Sequence, residues 1–332
     1  MSDSAYFSFI EQTLHYFARP HEHAVTEPVH CEAAWRGAHM PSLEQMAHRL
    51  NPAEVDELRA AVSSAAALGR ETRSLTATDF PLPQLQPQIV RWREVLSSGL
   101  GFQVIRGVPV DQWTQAEAEL FFWCFGLHLG RPGEQNPQGH LLGHVIDTGE
   151  AKEDSSARLY KTSANIDYHC DAADVVGLLC LKKAKHGGHS RIASSVALFN
   201  ELLLRRPDLA ARLFEPMQLD IRDSEVNEEG STLPIQPSCF ADGQLRTFYH
   251  SDYFRSVVRH DHIRELGETE RVLLDTYDRL ALSPKLYLDM DLQPGDIQLL
   301  SNHTVVHART DYTDHEDPAQ RRHLLRLWLS LD

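Results

Sequence analysis

The chain has 332 residues, of which 42% are hydrophobic and 24% charged, and its formal net charge is −15 at pH 7. This composition suits one large or two small globular domains, and the acidic balance argues against a broad nucleic-acid or anionic-membrane surface. No apolar stretch approaches the roughly 18 residues of a membrane span, and the N-terminus lacks the pattern of a secretory signal. Five cysteines without CxxC pairing favour free thiols in a reducing compartment. We therefore expect a cytoplasmic protein that binds neither nucleic acid nor membranes, with homo-oligomerisation left open.

The first third of the sequence predicts helices. Asn51 before Pro52 marks a helix start and Gly69 its end. A second helix is predicted over 88–98. After a short strand between glycines at 101–107, a Thr-x-x-Glu capping box opens a third helix over 116–129.

Short β-like segments dominate beyond residue 140, and helices over 195–206 and 262–282 interrupt them. The predicted strands cover residues 141–146, 175–182, 190–193, 217–221, 245–250, 285–289, 297–300 and 323–331. Many short strands separated by turn signals favour a sandwich or a barrel.

The segment from 165 to 190 carries the main signal of a site. His169 and Asp171 are two residues apart, so on an extended chain they face one point while Cys170 faces away. An imidazole and a carboxylate are two of the three ligands in the 2-His-1-carboxylate triad that binds non-haem Fe(II). An HxD triplet is common by chance, and a metal site therefore requires a second histidine from elsewhere in the chain.

A second polar segment, after the turn at 294–296, offers His303 and His307. On a helix their i,i+4 spacing would suit Zn²⁺. The intervening residues 304–306 are β-branched and disfavour a helix.

The last predicted strand alternates between an apolar and a basic face. Its odd positions 325, 327 and 329 are leucines that need a core, whereas Arg322 and Arg326 share the other face with Leu324 and Trp328. An unpaired buried guanidinium is costly, and its planar fork binds a carboxylate in a bidentate way. The pattern therefore indicates a pocket for an anion, with a structural carboxylate as the alternative partner of Arg326.

Taken in order, these motifs resemble the taurine dioxygenase/TfdA-like family of Fe(II)/2-oxoglutarate-dependent oxygenases over about residues 85–330. The motifs are His169-x-Asp171, Gly187-Gly188-x-Ser190, Asn302 with His307 and Arg309, and Arg322-x-x-x-Arg326. The resemblance implies an α+β fold with a mainly β core. Residues 85–332 would form a double-stranded β-helix (jelly roll) with flanking helices, and residues 1–84 a helical extension packed on it.

The resemblance also implies roles for individual residues. The iron ligands would be His169, Asp171 and His307. The residues that bind 2-oxoglutarate would be Arg322 and Ser190, at its distal carboxylate, together with Arg326, which matches a second arginine near cosubstrate or substrate. Asn165 matches an asparagine that lines the active site. The further candidates for the substrate side are Tyr160 and His250, with Tyr249 and Tyr253 beside them.

The implied activity is that of a dioxygenase that uses Fe(II), 2-oxoglutarate and O₂, hydroxylates a small polar molecule, and releases succinate and CO₂. Desaturation, cyclisation or dealkylation would use the same residues. Two other classes stay open, namely a catalytically silent jelly-roll protein that binds metal and 2-oxoglutarate, and a zinc hydrolase. The hydrolase lacks an evident general-base glutamate near the metal residues. The sequence does not identify the substrate.

Overall fold

The computed structural model describes residues 5–148, 162–221, 232–261 and 263–331. The α-helices are α1 (Phe9–Phe17), α2 (Leu43–Met46), α3 (Pro52–Ala67), α4 (Gln86–Ser97), α5 (Gln115–Leu129), α6 (Ser195–Arg205), α7 (Pro207–Arg212), α8 (Ser251–Arg255) and α9 (Glu268–Ala281). The strands are β1 (His48–Arg49), β2 (Phe102–Arg106), β3 (Arg131–Gly133), β4 (Leu142–Val145), β5 (Ile166–His169), β6 (Val175–Lys182), β7 (His186–Gly187), β8 (Ser190–Ser194), β9 (Met217–Asp220), β10 (Thr232–Ile235), β11 (Ser238–Ala241), β12 (Gln244–Thr247), β13 (Tyr287–Met290), β14 (Ile297–Ser301), β15 (Val305–Arg309), β16 (Tyr312–Thr313) and β17 (His323–Ser330). None of the described helices is long and apolar enough to cross a membrane.

Capping interactions set the helix boundaries. The side chain of Asn51 accepts the N–H of Glu54 at 3.0 Å while the Glu54 carboxylate accepts the N–H of Asn51 at 2.8 Å, a reciprocal pair that starts α3. The predicted start at residue 262 is wrong for α9. This helix begins at Glu268, because the Gly267 N–H donates to the Glu270 carboxylate at 2.7 Å and so caps the helix there.

The larger sheet has the strand order β1-β2-β14-β6-β17-β3, and β4 also pairs with β17. Its outer face carries the leucines at the odd positions of β17, which pack in one buried cluster with side chains of α3, α4 and α5, among them Trp92 and Phe122. The predicted alternation is thus confirmed. The even positions of β17 face the opposite way.

The smaller sheet has the order β13-β8-β15-β5, and its outer face packs against α6, α7 and α9. Between the two sheets lies a third apolar cluster, to which the larger sheet contributes Val176 and Leu324 and the smaller sheet contributes Ile192 and Val305. Arg322 and Arg326 line the same cavity as Leu324.

The N-terminal residues are integrated with these layers. Strand β1 extends the larger sheet by parallel pairing with β2, and α3 packs on α5. The hydroxyl of Tyr16 in α1 donates to the carbonyl of Asn302 at 2.9 Å, and the N–H of Phe9 donates to the Glu134 carboxylate at 2.8 Å. Helix α1 is therefore bound directly to the loops next to β14 and β3.

Phe122 provides a test of the packing of α5 on the larger sheet. Its side chain is 1% exposed, and its Cζ lies only 3.3 Å from the position that a Cβ at Gly177 would occupy. Phe122→Ala should lower the free energy of unfolding by about 3–5 kcal/mol, because the cavity left behind collapses only in part. Chemical denaturation measures this. Val90→Ala, at a side chain 47% exposed on α4, should change it by less than about 0.5 kcal/mol, and equal losses would contradict the packing.

Candidate metal centre and cosubstrate pocket

Three potential metal ligands meet at the pairing of β5 with β15. His307 and His169 are direct cross-strand partners, and Asp171 follows two residues after His169. The ligand atoms of the three side chains lie within 4.8 Å of one another. Cys170 points away, as alternation predicts, and its buried thiol lies 3.6 Å from the carbonyl oxygen of Thr247.

The donor set fits a divalent iron. Two imidazoles and one carboxylate form the facial triad typical of non-haem Fe(II). The buried atoms Asp171 Oδ2 and His307 Nδ1 have no hydrogen-bond partner within the part of the chain that the structure describes. Buried polar atoms are normally satisfied, and a cation beside Asp171 would satisfy its carboxylate.

Electrostatics keep both buried ligands in the forms that coordinate a metal. Burial, with the adjacent His169 adding to it, lowers the pKa of His307 to about 3, so its imidazole is neutral near pH 7. Burial by itself would raise the pKa of Asp171, but Arg326 and then the two histidines outweigh this effect and lower it. The carboxylate therefore stays ionised.

Asn302 holds the loop that carries Asp171. Its side-chain oxygen accepts the N–H of Asp171 at 3.0 Å, and its amide nitrogen donates to the carbonyl of Ala173 at 2.9 Å. Asn302 is fully buried. Its place in the sequence motif singles it out, but only the structure gives it this positioning role.

Asp174 is a second anchor of the same loop, and sequence reasoning missed it. Its carboxylate accepts from His15 at 2.9 Å, from His303 at 2.8 Å and from the N–H of Leu331 at 2.8 Å. Burial opposes ionisation of Asp174, yet these hydrogen bonds win and its pKa falls well below the usual range. His303 thus helps to hold the loop after His169 through its hydrogen bond to Asp174. His307, by contrast, is one of the three potential metal ligands.

Arg322 and Ser190 lie in the cavity that also contains the three ligands. Arg322 is buried, and its Nη1 has no hydrogen-bond partner in the described ranges. The Ser190 hydroxyl donates to Gln298 Oε1 at 2.9 Å. Gly188 has a φ of +71°, and a Cβ there would lie 3.0 Å from Arg322 Nε, so a glycine at this turn lets the backbone approach the guanidinium.

Arg326 lies nearer to the ligands. Its Nη1 is 3.7 Å from Asp171 Oδ1, and its Nε donates to Gln135 Oε1 at 2.7 Å. Gln135 in turn donates to the carbonyl of Arg326 at 2.8 Å and thereby fixes the arginine at both ends. No pattern in the sequence marks Gln135, which lies in a loop after β3.

The remaining sequence candidates fall in different places. His250 and Tyr253 line the cavity, and their rings stack with centroids 3.7 Å apart. Asn165 is exposed, donates to the Asp167 carboxylate at 2.9 Å, and is absent from the described cavity wall. Tyr249 is buried elsewhere, with its hydroxyl 2.6 Å from Asp278. Tyr160 lies outside the described residues.

Helix α1 supplies part of the cavity wall, which the sequence did not reveal. Phe9, Thr13 and Phe17 lie one turn apart on one face of α1 and line the same cavity as the metal ligands. Their spacing in the sequence is that of any amphipathic helix, so it gives no signal of a binding site.

Comparison with known proteins identifies the family. A family model described as "Taurine catabolism dioxygenase TauD, TfdA family" matches residues 65–328. The chain belongs to this family. It is accordingly an Fe(II)/2-oxoglutarate-dependent dioxygenase, and the sequence-based prediction of the family and of its cofactors is confirmed.

Individual relatives cover most of the chain. FR-33289 synthase of Streptomyces rubellomurinus (strain ATCC 31215) is 31% identical over 92% of this chain and 91% of its own length. Uridine-5'-phosphate dioxygenase of Amycolatopsis sp is 28% identical over 77% of this chain and 93% of its own length.

Solved structures share the TauD-like fold. Asparagine oxygenase in complex with Fe(II), 2S,3S-3-hydroxyasparagine and succinate aligns with a TM-score of 0.69 and 16% identity over 86% of this chain and 93% of that one. The non-heme iron oxygenase OrfP in complex with Fe and alpha-ketoglutaric acid aligns with a TM-score of 0.64 and 18% identity over 86% and 94%.

The anchoring of Asp171 can be tested through metal affinity. Asn302→Ala should weaken Fe(II) binding about 10–100-fold, the usual cost of losing a group that orients a metal ligand. Anaerobic metal titration measures the affinity. Asn200→Ala is the matched control, because Asn200 also makes two backbone hydrogen bonds, both to Val29 at 2.8 Å, away from the ligands. Equal losses in both variants would contradict the role of Asn302.

Proposed function

We propose that this TauD, TfdA family dioxygenase hydroxylates a small molecule that carries a polar or anionic group, with release of succinate and CO₂ from 2-oxoglutarate. The observation that carries the proposal is the meeting of His169, Asp171 and His307 in one cavity with Arg322. Its relatives support a small polar substrate, since one is a uridine-5'-phosphate dioxygenase and a structural neighbour, asparagine oxygenase, holds hydroxyasparagine.

In this proposal His169, Asp171 and His307 hold the iron, which when bound supplies the activation of O₂. Arg322 and Ser190 bind the distal carboxylate of 2-oxoglutarate and so orient its keto acid end toward the ligands. Arg326, fixed by Gln135, keeps Asp171 ionised and presents its guanidinium to cosubstrate or substrate.

We further propose that the two sheets form a double-stranded β-helix. Successive strands alternate between them: β5 and β8 belong to the smaller sheet and β6 to the larger, and β14, β15 and β17 again cross from one sheet to the other. The cavity between the sheets is then the interior of the roll. Residues 1–84 form an extension that supplies one wall through α1.

The walls of the cavity support a substrate with an apolar as well as a polar part. The apolar part of the lining includes Phe9, Phe17, Leu219, Leu233 and Phe248. Close to the metal ligands the lining is polar, because the His250 ring lies 5.1 Å from that of His169. Apolar walls with a few placed polar groups are typical of small-molecule sites.

Anaerobic titration with Fe(II) and 2-oxoglutarate tests the assignment of the site. Wild-type protein should develop a metal-to-ligand charge-transfer absorption band, and His169→Ala should lose it because one of three ligands is missing. His186→Ala, at an exposed position on β7, should keep it. A band undiminished in His169→Ala would overturn the ligand assignment.

Measuring succinate formation distinguishes an active oxygenase from a protein that binds metal and 2-oxoglutarate without catalysis. A panel of amino acids, sulfonates and phosphate esters should contain a compound that stimulates succinate formation and gains one oxygen atom, as mass spectrometry would show. A product that has lost two hydrogens instead would favour desaturation.

Thr13 tests the wall formed by α1. Thr13→Trp should abolish succinate formation stimulated by any active panel compound, since the larger side chain fills the substrate side of the cavity. Binding of 2-oxoglutarate should stay within about twofold of wild type, because Thr13 is not among the groups that hold it. Leu14→Trp, at a neighbouring side chain 67% exposed, should change neither. Unaltered turnover in Thr13→Trp would contradict the role of α1.

A further inference from the structure

Arg309 is a buried cation for which neither the sequence nor the proposed function supplies a role. It lies two residues after His307 on β15, so both side chains face the cavity, and its cross-strand partner on β8 is Ser190. The side chain is 5% exposed and lines the cavity.

Only one end of the Arg309 guanidinium is satisfied. Its Nη2 donates to the carbonyl oxygens of Thr162, at 2.7 Å, and Ala164. Its Nε and Nη1 have no hydrogen-bond partner among the described residues, and the same holds for Nη1 of Arg322. Buried donors are normally paired, so this part of the cavity has several directed N–H groups to offer to a ligand.

Both guanidinium groups lie beside the ring of Tyr312. The Cζ of Arg309 is 4.9 Å from the centre of the Tyr312 ring, and the Cζ of Arg322 is 5.2 Å from the same point. Arg309 and Arg322 are also close enough for their charges to repel each other. Two like charges held together in a buried site require a compensating anion.

The described carboxylates that act on the two arginines, Asp147 on Arg309 and Asp314 on Arg322, do so from beyond ion-pair distance. Neither guanidinium forms an ion pair with a carboxylate in the described ranges, whereas Arg326 is already paired with Asp171. Arg309 therefore offers the unused donors beside Arg322.

We propose that Arg309 is a second ligand for the distal carboxylate of 2-oxoglutarate, which Arg309 and Arg322 bind together. This inference rests on the proposed placement of the cosubstrate at Arg322. Two guanidinium groups with directed N–H donors match the two oxygens of one carboxylate. The contacts of Nη2 with the 162–164 backbone would hold the side chain in place for this purpose.

Two keto acids, one with and one without the distal carboxylate, separate the contribution of that group to binding. Fe(II)-loaded protein is titrated anaerobically with 2-oxoglutarate and with 2-oxopentanoate, which has the same chain length but lacks that carboxylate, and the charge-transfer band gives each Kd. In Arg309→Gln the affinity for 2-oxoglutarate should fall on the order of ten- to a hundredfold, as expected for losing a charge-assisted hydrogen bond. The affinity for 2-oxopentanoate should stay within about twofold, because its binding does not involve Arg309.

Matched variants exclude indirect effects. Arg191→Gln changes an arginine on the adjacent strand that is paired with Asp289 at 2.6 Å and is absent from the described cavity wall; both affinities should be retained. Arg309→Lys keeps the charge but not the fork, so its preference for 2-oxoglutarate should lie between wild type and Arg309→Gln. This variant gives the same test if Arg309→Gln does not fold.

The outcomes are separable. An equal loss for both keto acids in the Arg309 variants would make Arg309 a purely structural residue and overturn the inference, as would an unchanged preference for 2-oxoglutarate. If wild-type protein does not prefer 2-oxoglutarate over 2-oxopentanoate, the proposed cosubstrate site itself fails, and the inference with it.

Discussion

The pairing of β15 with β5 is the constraint on which the rest of the site depends. It places His307 opposite His169 although the two are far apart in the sequence. Because β15 also pairs with β8, the same register puts Arg309 opposite Ser190. One strand thus positions both a candidate metal ligand, His307, and, two residues further on, the buried cation Arg309.

The arrangement of charge in the cavity follows from this geometry. Near the ligands the Asp171 carboxylate balances Arg326, and burial keeps His307 neutral. Arg309 and Arg322, by contrast, form no ion pair within the described residues, and Asp147 and Asp314 act on them only from farther away. The cavity is therefore asymmetric, with one end suited to a cation and the other to an anion. A molecule such as 2-oxoglutarate, which chelates a metal at one end and carries a carboxylate at the other, matches this asymmetry.

Much of the site could be predicted from the sequence, because its key residues occur in patterns with a physical meaning. Alternation along an extended chain put His169 and Asp171 on one side and Cys170 on the other, and the same rule put Arg322 and Arg326 on the inner face of the last strand. Helix starts at Asn51 and Thr114 were predictable because capping is local. The start of α9 was mispredicted because an equally local cap lies further along, at Gly267.

The contacts that hold the site were not predictable, because they depend on which segments meet in three dimensions. No sequence motif marks Gln135, Asp174 or Thr13. Gln135 and Asp174 each bind a side chain more than a hundred positions away, and Thr13 contributes to the cavity wall.

Asp174 also has a consequence for biosynthesis. Its carboxylate binds His15 near one end of the chain and the backbone of Leu331 near the other. A partly synthesised chain that ends before Leu331 therefore lacks one of the hydrogen bonds that hold Asp174, and it keeps those from His15 and His303.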